Sequence, residues 1–218
     1  MVENLSGQYD FADVNGPGLS GAFAMRLQEG YPLFSYYLLQ FDGYDNAGQP
    51  IISEDKSFVG KSALPNLTGG LSTNLNYKRW SMSAYFSGQF GHYVYNNTAN
   101  AFFTAGAFNT TRNVTPETLT SGEALGASAA ASTRFLEKGD FVRLQNLSLA
   151  YDMPLSGKGV FKSMVFSVTG QNLWLSTDYS GLDPEVNSAT GGALPSIGMD
   201  YGAYPNPTTI TFGVNAKF

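Results

Sequence analysis

The chain has 218 residues, a net charge of −5, no cysteine and a single histidine. That charge excludes a surface that tracks nucleic-acid phosphates, and the lack of cysteine excludes disulfide frameworks and thiolate metal sites. Charged residues are only 13% of the chain while aromatics reach 14%, a balance that suits a wall with lipid on one side and uncharged polar groups on the other. A soluble all-β domain can share this composition.

No apolar run approaches the roughly 18 to 20 residues that a transmembrane helix requires. Met1 to Ser6 has neither a basic start nor an apolar core, so it does not read as a signal peptide. An exported protein of this kind is expected to have its export signal elsewhere, either cleaved away or on a longer chain of which this is the tail.

In chain order, residues 19–28 and 31–42 read as two less regular strands around Glu29-Gly30. The clearest pattern begins at Leu67. Leu67, Gly69, Leu71, Thr73, Leu75 and Tyr77 alternate with Thr68, Gly70, Ser72, Asn74 and Asn76. Side chains alternate faces along a strand, so one face here is largely apolar and the other polar and uncharged. After Lys78-Arg79 the alternation resumes, with Trp80, Met82, Ala84, Phe86, Gly88 and Phe90 as the apolar set. Tyr77 and Trp80 flank the turn where an interfacial aromatic girdle would sit. Strands are likewise predicted over 145–153, 164–174 and 209–218. The phase slips before Asn146, because Arg143 and Gln145 share the parity of Leu147. A bulge there, or a position above the bilayer, accounts for the slip.

The faces follow from the alternation. Leu71, Leu75, Phe86, Leu149, Phe166 and Phe212 are expected to meet lipid, and Ser72, Asn74, Ser83, Ser148, Thr169 and Thr211 a polar lumen. The last strand places Ile210, Phe212, Val214, Ala216 and Phe218 in the lipid-facing phase and ends on the aromatic residue. This pattern resembles the terminal signal that outer-membrane barrels present to their insertion machinery. Links at 29–30, 78–79 and 154–163 are short, and those at 43–66, 91–140 and 175–206 are long. Outer-membrane barrels sort periplasmic turns from external loops in this way. The long link at 91–140 reads as an external flap, with Asn96 to Asn100 and the Ala/Ser-rich stretch 126–132 inside it.

The residues offer little for catalysis. His92 alone makes neither a metal site nor a triad, and no enzymatic activity, cofactor or metal is expected. Asp178, Asp183, Glu185 and Asp200 could bind a hard cation, but their spacing matches no Ca²⁺ loop, and turn-forming carboxylates are the simpler account. Tyr93, Tyr95, Phe102, Phe103 and Trp174 could stack on sugar rings, line a girdle or contact another protein.

Four ordered motifs carry a resemblance. They are Phe141 to Tyr151 followed by Met153-Pro154, Gly170 to Trp174, Tyr179 to Val186, and Asp200 to Pro205 continuing through Pro207 to Phe218. Together with Phe41-Asp42-Gly43 and Ala63-Leu64-Pro65, they resemble the SusC/RagA family of TonB-linked outer-membrane transporters. Thr208 stands where the family commonly has Arg, and Leu33 to Tyr37 is looser than its pattern. The resemblance implies an all-β fold: the C-terminal part of a large antiparallel transmembrane β-barrel, about seven strands with short periplasmic turns and long extracellular loops. It implies that residues 1–218 form the C-terminal barrel segment of a TonB-dependent transporter, with the plug domain and N-terminal strands outside this chain. It further implies uptake of oligosaccharides or peptides across the outer membrane of a Bacteroidetes-type cell. The implied partners are the remaining barrel and plug polypeptide, a SusD-like surface lipoprotein, TonB and outer-membrane lipid. Two alternatives stay open on the residues alone: a soluble carbohydrate-binding β-sandwich and a small autonomous outer-membrane barrel.

Overall fold

The structure is a computed structural model that describes residues 1–16, 19, 21–110, 112–127, 129–155, 159–188 and 196–218. Its first six strands are β1 (Gln8–Val14), β2 (Ala22–Gln28), β3 (Ser35–Leu38), β4 (Phe41–Tyr44), β5 (Pro50–Ile52) and β6 (Ser57–Ser62). Two long strands follow, β7 (Leu67–Tyr77) and β8 (Trp80–Phe90), then the short β9 (Tyr93–Asn96) and β10 (Leu136–Lys138). The chain closes with β11 (Phe141–Asp152), β12 (Ser163–Thr177), the two-residue β13 (Met199–Asp200) and β14 (Thr209–Lys217). Two short helices, α1 (Asn97–Phe102) and α2 (Pro116–Thr120), lie between β9 and β10. Among the described residues no helix is long and apolar enough to cross a membrane.

The chain divides into two compact units. One comprises residues 67–90, 140–178 and 205–218 and is a five-stranded antiparallel sheet in the order β14-β12-β11-β8-β7. Its first hairpin follows directly from the alternation, with every residue of β7 paired to β8 from Leu67↔Phe90 to Tyr77↔Trp80. Lys78 turns the hairpin with a left-handed φ of +54°. A two-residue turn needs such a dihedral to match the right-handed twist of its strands.

The other unit comprises residues 1–66, 91–139 and 179–204. It holds a four-stranded sheet β1-β2-β3-β6, the hairpin β4-β5 and a three-stranded sheet β10-β9-β13. The links expected to be long are therefore not bare loops. They fold into short elements that share a core of Phe11, Met25, Tyr36, Leu38, Tyr95 and Met199, all buried. Burying a side chain of this size is worth about 1.5 to 3 kcal/mol, enough to order strands of only three or four residues.

The two strands expected near the N-terminus differ in kind from the rest. They appear as β2 and as β3 with β4, and they belong to this second unit. Ala24, Met25, Tyr36 and Leu38 are buried in its core and do not form an exposed apolar face. Five long strands thus share one sheet where about seven wall strands were expected. The expected strand start at 19–28 and the short link at 154–163 each include residues outside those described.

Candidate membrane wall and lumen face

Register makes the five-stranded sheet a two-faced wall. Leu75, Met82, Leu149, Val168 and Phe212 are successive ladder partners and form one apolar row across all five strands. The next row on the same face is Thr73, Ala84, Leu147, Gly170 and Ile210. Beyond it come Leu71, Phe86, Leu144 and Trp174. Toward the turn, the row Tyr77, Trp80, Tyr151, Phe166 and Val214 is aromatic at four of five positions, and the Trp80 and Tyr151 rings lie 4.7 Å apart. On this face Leu71 is 67%, Leu75 57% and Phe212 81% exposed. An apolar surface of that extent marks a lipid or protein contact.

The opposite face is largely polar, and its central rows carry no charge, with Arg143 buried toward one end. Asn74, Ser83, Ser148, Thr169 and Thr211 form its central row. The Ser148 and Thr169 hydroxyls are 3.0 Å apart, and the Gln145 amide donates to Ser87 Oγ at 3.0 Å. All six residues expected to face lipid lie on the apolar face, and all six expected to face the lumen lie on this one. The eleven residues of β7, at about 3.3 Å each and tilted by about 45°, span roughly 25 Å of bilayer. This matches the apolar band of a transmembrane barrel.

The phase slip before Asn146 is a bulge. Between the pairs Leu144↔Trp174 and Asn146↔Gln171, one residue of β11 faces two of β12, and Gln145 is an extra residue against β8. The inserted residue returns Leu144 to the apolar face beside Phe86 and turns Arg143 to the polar face opposite Ser87. On β12 the irregularity is carried by Asn172, whose φ of +51° is one that Asn tolerates far better than most residues. Its side-chain amide donates to the Pro207 carbonyl at 3.1 Å, and its own carbonyl accepts from Thr208 Oγ1 at 2.9 Å. The bulge is thereby tied to the entry of β14. Of the two accounts of the slip open in the sequence, a bulge or a position above the bilayer, the register shows the bulge; Asn172 was missed, its signal being an Asn interrupting a strand pattern.

The closing-strand residues Ile210, Phe212, Val214 and Ala216 pair with Gly170, Val168, Phe166 and Met164, all on the apolar face. Phe218 follows the last rung, with its ring 5.0 Å from Phe161. Trp174, considered for sugar stacking, sits on the apolar face. Tyr93, Tyr95, Phe102 and Phe103 belong to the other unit. There Tyr95 is fully buried, and Phe102 stacks on Tyr201 at 5.9 Å.

The acidic residues also separate. Asp178 is exposed in the sheet unit. Asp183 Oδ1 accepts the Glu185 N–H at 2.9 Å, a local turn cap. Asp200 is buried and accepts from Tyr179 Oη at 2.7 Å and from Thr98 Oγ1 at 2.8 Å. Burial, reinforced by the Asp200 carboxylate, pushes the Tyr179 hydroxyl pKa well up. Nearby in the chain, Ser180 donates its N–H and its Oγ to Glu137, both at 2.8 Å. His92 is buried with its carbonyl accepting the Gly139 N–H at 3.0 Å. No group of three His, Cys, Asp or Glu that could hold a metal ion occurs among the described residues.

No protein-family model matches the chain. It is 36% identical over 189 residues to TonB-dependent receptor P26 of Formosa agariphila, covering 80% of this chain and 19% of the receptor. It is 27% identical over 215 residues to TonB-dependent receptor SusC of Bacteroides thetaiotaomicron, covering 87% of this chain and 20% of that receptor. The chain thus spans about a fifth of the length of these relatives. Among solved structures, the RagAB peptide importer in its open-open state superposes with a TM-score of 0.75 at 23% identity. That match covers all of this chain and 25% of the importer chain.

Proposed function

We propose that this chain, which belongs to the SusC/RagA-type TonB-linked outer-membrane transporters, forms the C-terminal barrel segment of a nutrient importer. The observation that carries the proposal is the pair of cross-strand rows. An apolar row of five partners lies on one face and an uncharged polar row of five on the other. A soluble sandwich would bury the first face, and a charged pore would line the second with Lys and Glu. A polar lumen face whose central rows carry no charge suits a neutral, hydrogen-bonding solute such as an oligosaccharide or a peptide backbone.

The sheet leaves the outer edges of β7 and β14 open. In hydrocarbon each unpaired backbone group costs several kcal/mol, so both edges require strands from the rest of the same transporter. Ile210, Phe212, Val214, Ala216 and Phe218 serve as the assembly signal of that barrel. A SusD-like lipoprotein closes the mouth, and TonB supplies energy through the plug-bearing part. A small autonomous barrel would pair its first and last strands, and among the described residues β7 and β14 are not paired with each other. The test is growth of a strain lacking the complete transporter on single oligosaccharides and peptides. Loss of growth on one of them, reproduced by loss of TonB, is expected. Unchanged growth and uptake on all of them would overturn the proposal.

A further inference from the structure

The exposed cations of the sheet unit, among the described residues, are gathered at one end. Its described cations are Lys78, Arg79, Arg143, Lys162 and Lys217. Arg143 is buried on the polar face, while the other four are exposed at the turn-side rim. Backbone pairing fixes them there. Lys78 and Arg79 form the turn below Tyr77↔Trp80. The Arg79 carbonyl accepts the Asp152 N–H at 2.9 Å, holding that turn against the end of β11. The Lys162 N–H donates to the Lys217 carbonyl at 2.7 Å, which joins the ends of β12 and β14 at this rim, Lys162 in the phase of the apolar face and Lys217 in that of the polar face.

Among the described residues of this rim, Asp152 is the acidic side chain that opposes them. The Arg79 guanidinium meets the Asp152 backbone carbonyl, at 3.4 Å, and leaves most of its donors unused there. At the far end of the same strands the exposed charge is Asp178, with Asp140 at the start of β11. The exposed cations of the wall thus stand at the turn-side end, away from Asp178 and Asp140.

The cations also stand at a defined depth. They follow the Tyr77, Trp80, Tyr151 and Phe166 row by one to a few residues, and Lys78 Nζ lies 5.2 Å from the Tyr77 ring. Aromatic belts sit at headgroup level, so ammonium and guanidinium groups just beyond them reach the phosphates. Exposed Met153, Val160, Phe161 and Phe218 supply apolar surface among the cations for acyl chains.

We propose that this turn-side rim, with Lys78, Arg79, Lys162 and Lys217 below an aromatic row, binds anionic phospholipid headgroups of the periplasmic leaflet. The proposal rests on the outer-membrane placement of the sheet and adds a ligand to it. The shared chemistry is a phosphate monoanion beside glycerol, and bilayer lipid is the source because the aromatic row and the apolar rim residues would otherwise face water.

The test uses the complete transporter in nanodiscs of equal phosphatidylglycerol and phosphatidylcholine. Lipids retained after release are counted by native mass spectrometry. The wild type is expected to retain phosphatidylglycerol preferentially. Lys78→Gln/Arg79→Gln/Lys162→Gln/Lys217→Gln should lower that preference by at least fivefold, about what one basic residue at an anionic surface is worth. If that variant fails to insert, Lys162→Gln/Lys217→Gln keeps the first hairpin intact and should lower the preference in part. In the wild type alone, raising salt from about 0.15 M to about 1 M should weaken it, because the Debye length falls from about 8 to 3 Å. An equal preference in folded wild type and variant, or none in the wild type, overturns the proposal. Displacement of the lipid by millimolar inorganic phosphate overturns the lipid assignment in favour of a free-phosphate site. A wild type that inserts, shown by heat-modifiable mobility, but shows no lipid preference sinks this inference and spares the wall. A wild type that does not insert sinks the wall as well.

Discussion

The two-faced sheet makes its sharpest prediction at Leu147. This residue lies on central strand β11, pairs with Ala84 and Gly170, and points to the apolar face. It stands four residues from Tyr151 of the aromatic row. At about 3.3 Å per residue and a tilt of about 45°, that is roughly 9 Å into a band about 25 Å tall, close to its centre. Leu147→Arg should therefore cost about 2 to 4 kcal/mol, the penalty for a cation near the midplane. Leu149→Arg lies about 5 Å from the aromatic row and should cost less, because the penalty falls toward the interface. Ser148→Arg, between them, projects into the polar lumen and loses only the hydroxyl pair with Thr169 at 3.0 Å, about 1 kcal/mol. Denaturant midpoints of the complete transporter refolded in lipid vesicles give the three values. The expected order is Leu147, then Leu149, then Ser148. Equal costs at 147 and 148, or a larger one at 148, would refute the assignment of faces.

Asn172→Gly keeps the left-handed dihedral and loses the 3.1 Å bond to Pro207, about 1 kcal/mol, whereas Asn172→Ala adds about 1 kcal/mol of strain. Identical unfolding midpoints for the two variants would show that the bulge does not depend on φ. Tyr179→Phe strips the buried Asp200 carboxylate of a 2.7 Å donor and should destabilise its unit by about 1.5 to 3 kcal/mol. Faster hydrogen exchange in segments 91–102 and 196–204 reads this out, and unchanged exchange would count against it. Burial pushes the Tyr44 hydroxyl up to about 12, above the ordinary tyrosine value of about 10. Its contribution is therefore whole below pH 10 and is lost as pH rises toward 12. Because that hydroxyl has no hydrogen-bond partner among the described residues, Tyr44→Phe should leave neutral-pH stability intact and reduce the alkaline loss seen in thermal scans. A loss identical to the wild type's would rule out Tyr44 as its source. Deleting Phe218 removes the ring packed at 5.0 Å from Phe161 and should lower the amount of inserted barrel in cells, whereas wild-type amounts would make the terminal pattern incidental.

Legibility in the sequence followed the locality of the physics. β7 and β8 span the predicted 67–77 and 80–90, because a strand between lipid and a polar lumen states its two environments residue by residue. The out-of-phase Arg143 and Gln145 were themselves the trace of the bulge, since an inserted residue must invert parity. The second unit was opaque for the opposite reason. Its strands are mostly three to seven residues long, too short for a period to emerge, and it is cemented by distant contacts. Thr98 and Tyr179 meet Asp200 from 102 and 21 residues away. Composition could mark Asp183 as a turn residue but could not distinguish Asp200, which is a buried acceptor. The strands expected at 19–28 and 31–42 show the same limit: apolar residues clustered there, but their destination was a protein core.

The motifs that carry the family resemblance sit mainly where the chain departs from regular strand geometry. Phe141 to Tyr151 contains the Gln145 bulge, and Gly170 to Trp174 contains its counterpart on β12 with Asn172 at φ +51°. Tyr179 to Val186 supplies the Tyr179–Asp200 bond, the Ser180–Glu137 bonds and the Asp183 cap. The segment after Asp200 brings Pro207 and Thr208 to Asn172. Each of these positions demands one side chain or a near equivalent, because a dihedral, a donor or an acceptor is specified. The faces of the wall demand much less. Any apolar residue serves against lipid, and Ser, Thr, Asn or Gln serve alike against water. A wall built on this division keeps its fold while most of its residues change, consistent with a TM-score of 0.75 at 23% identity. The same division leaves the residues of the polar face free to change without disturbing the bulge and the bonds that the motifs supply.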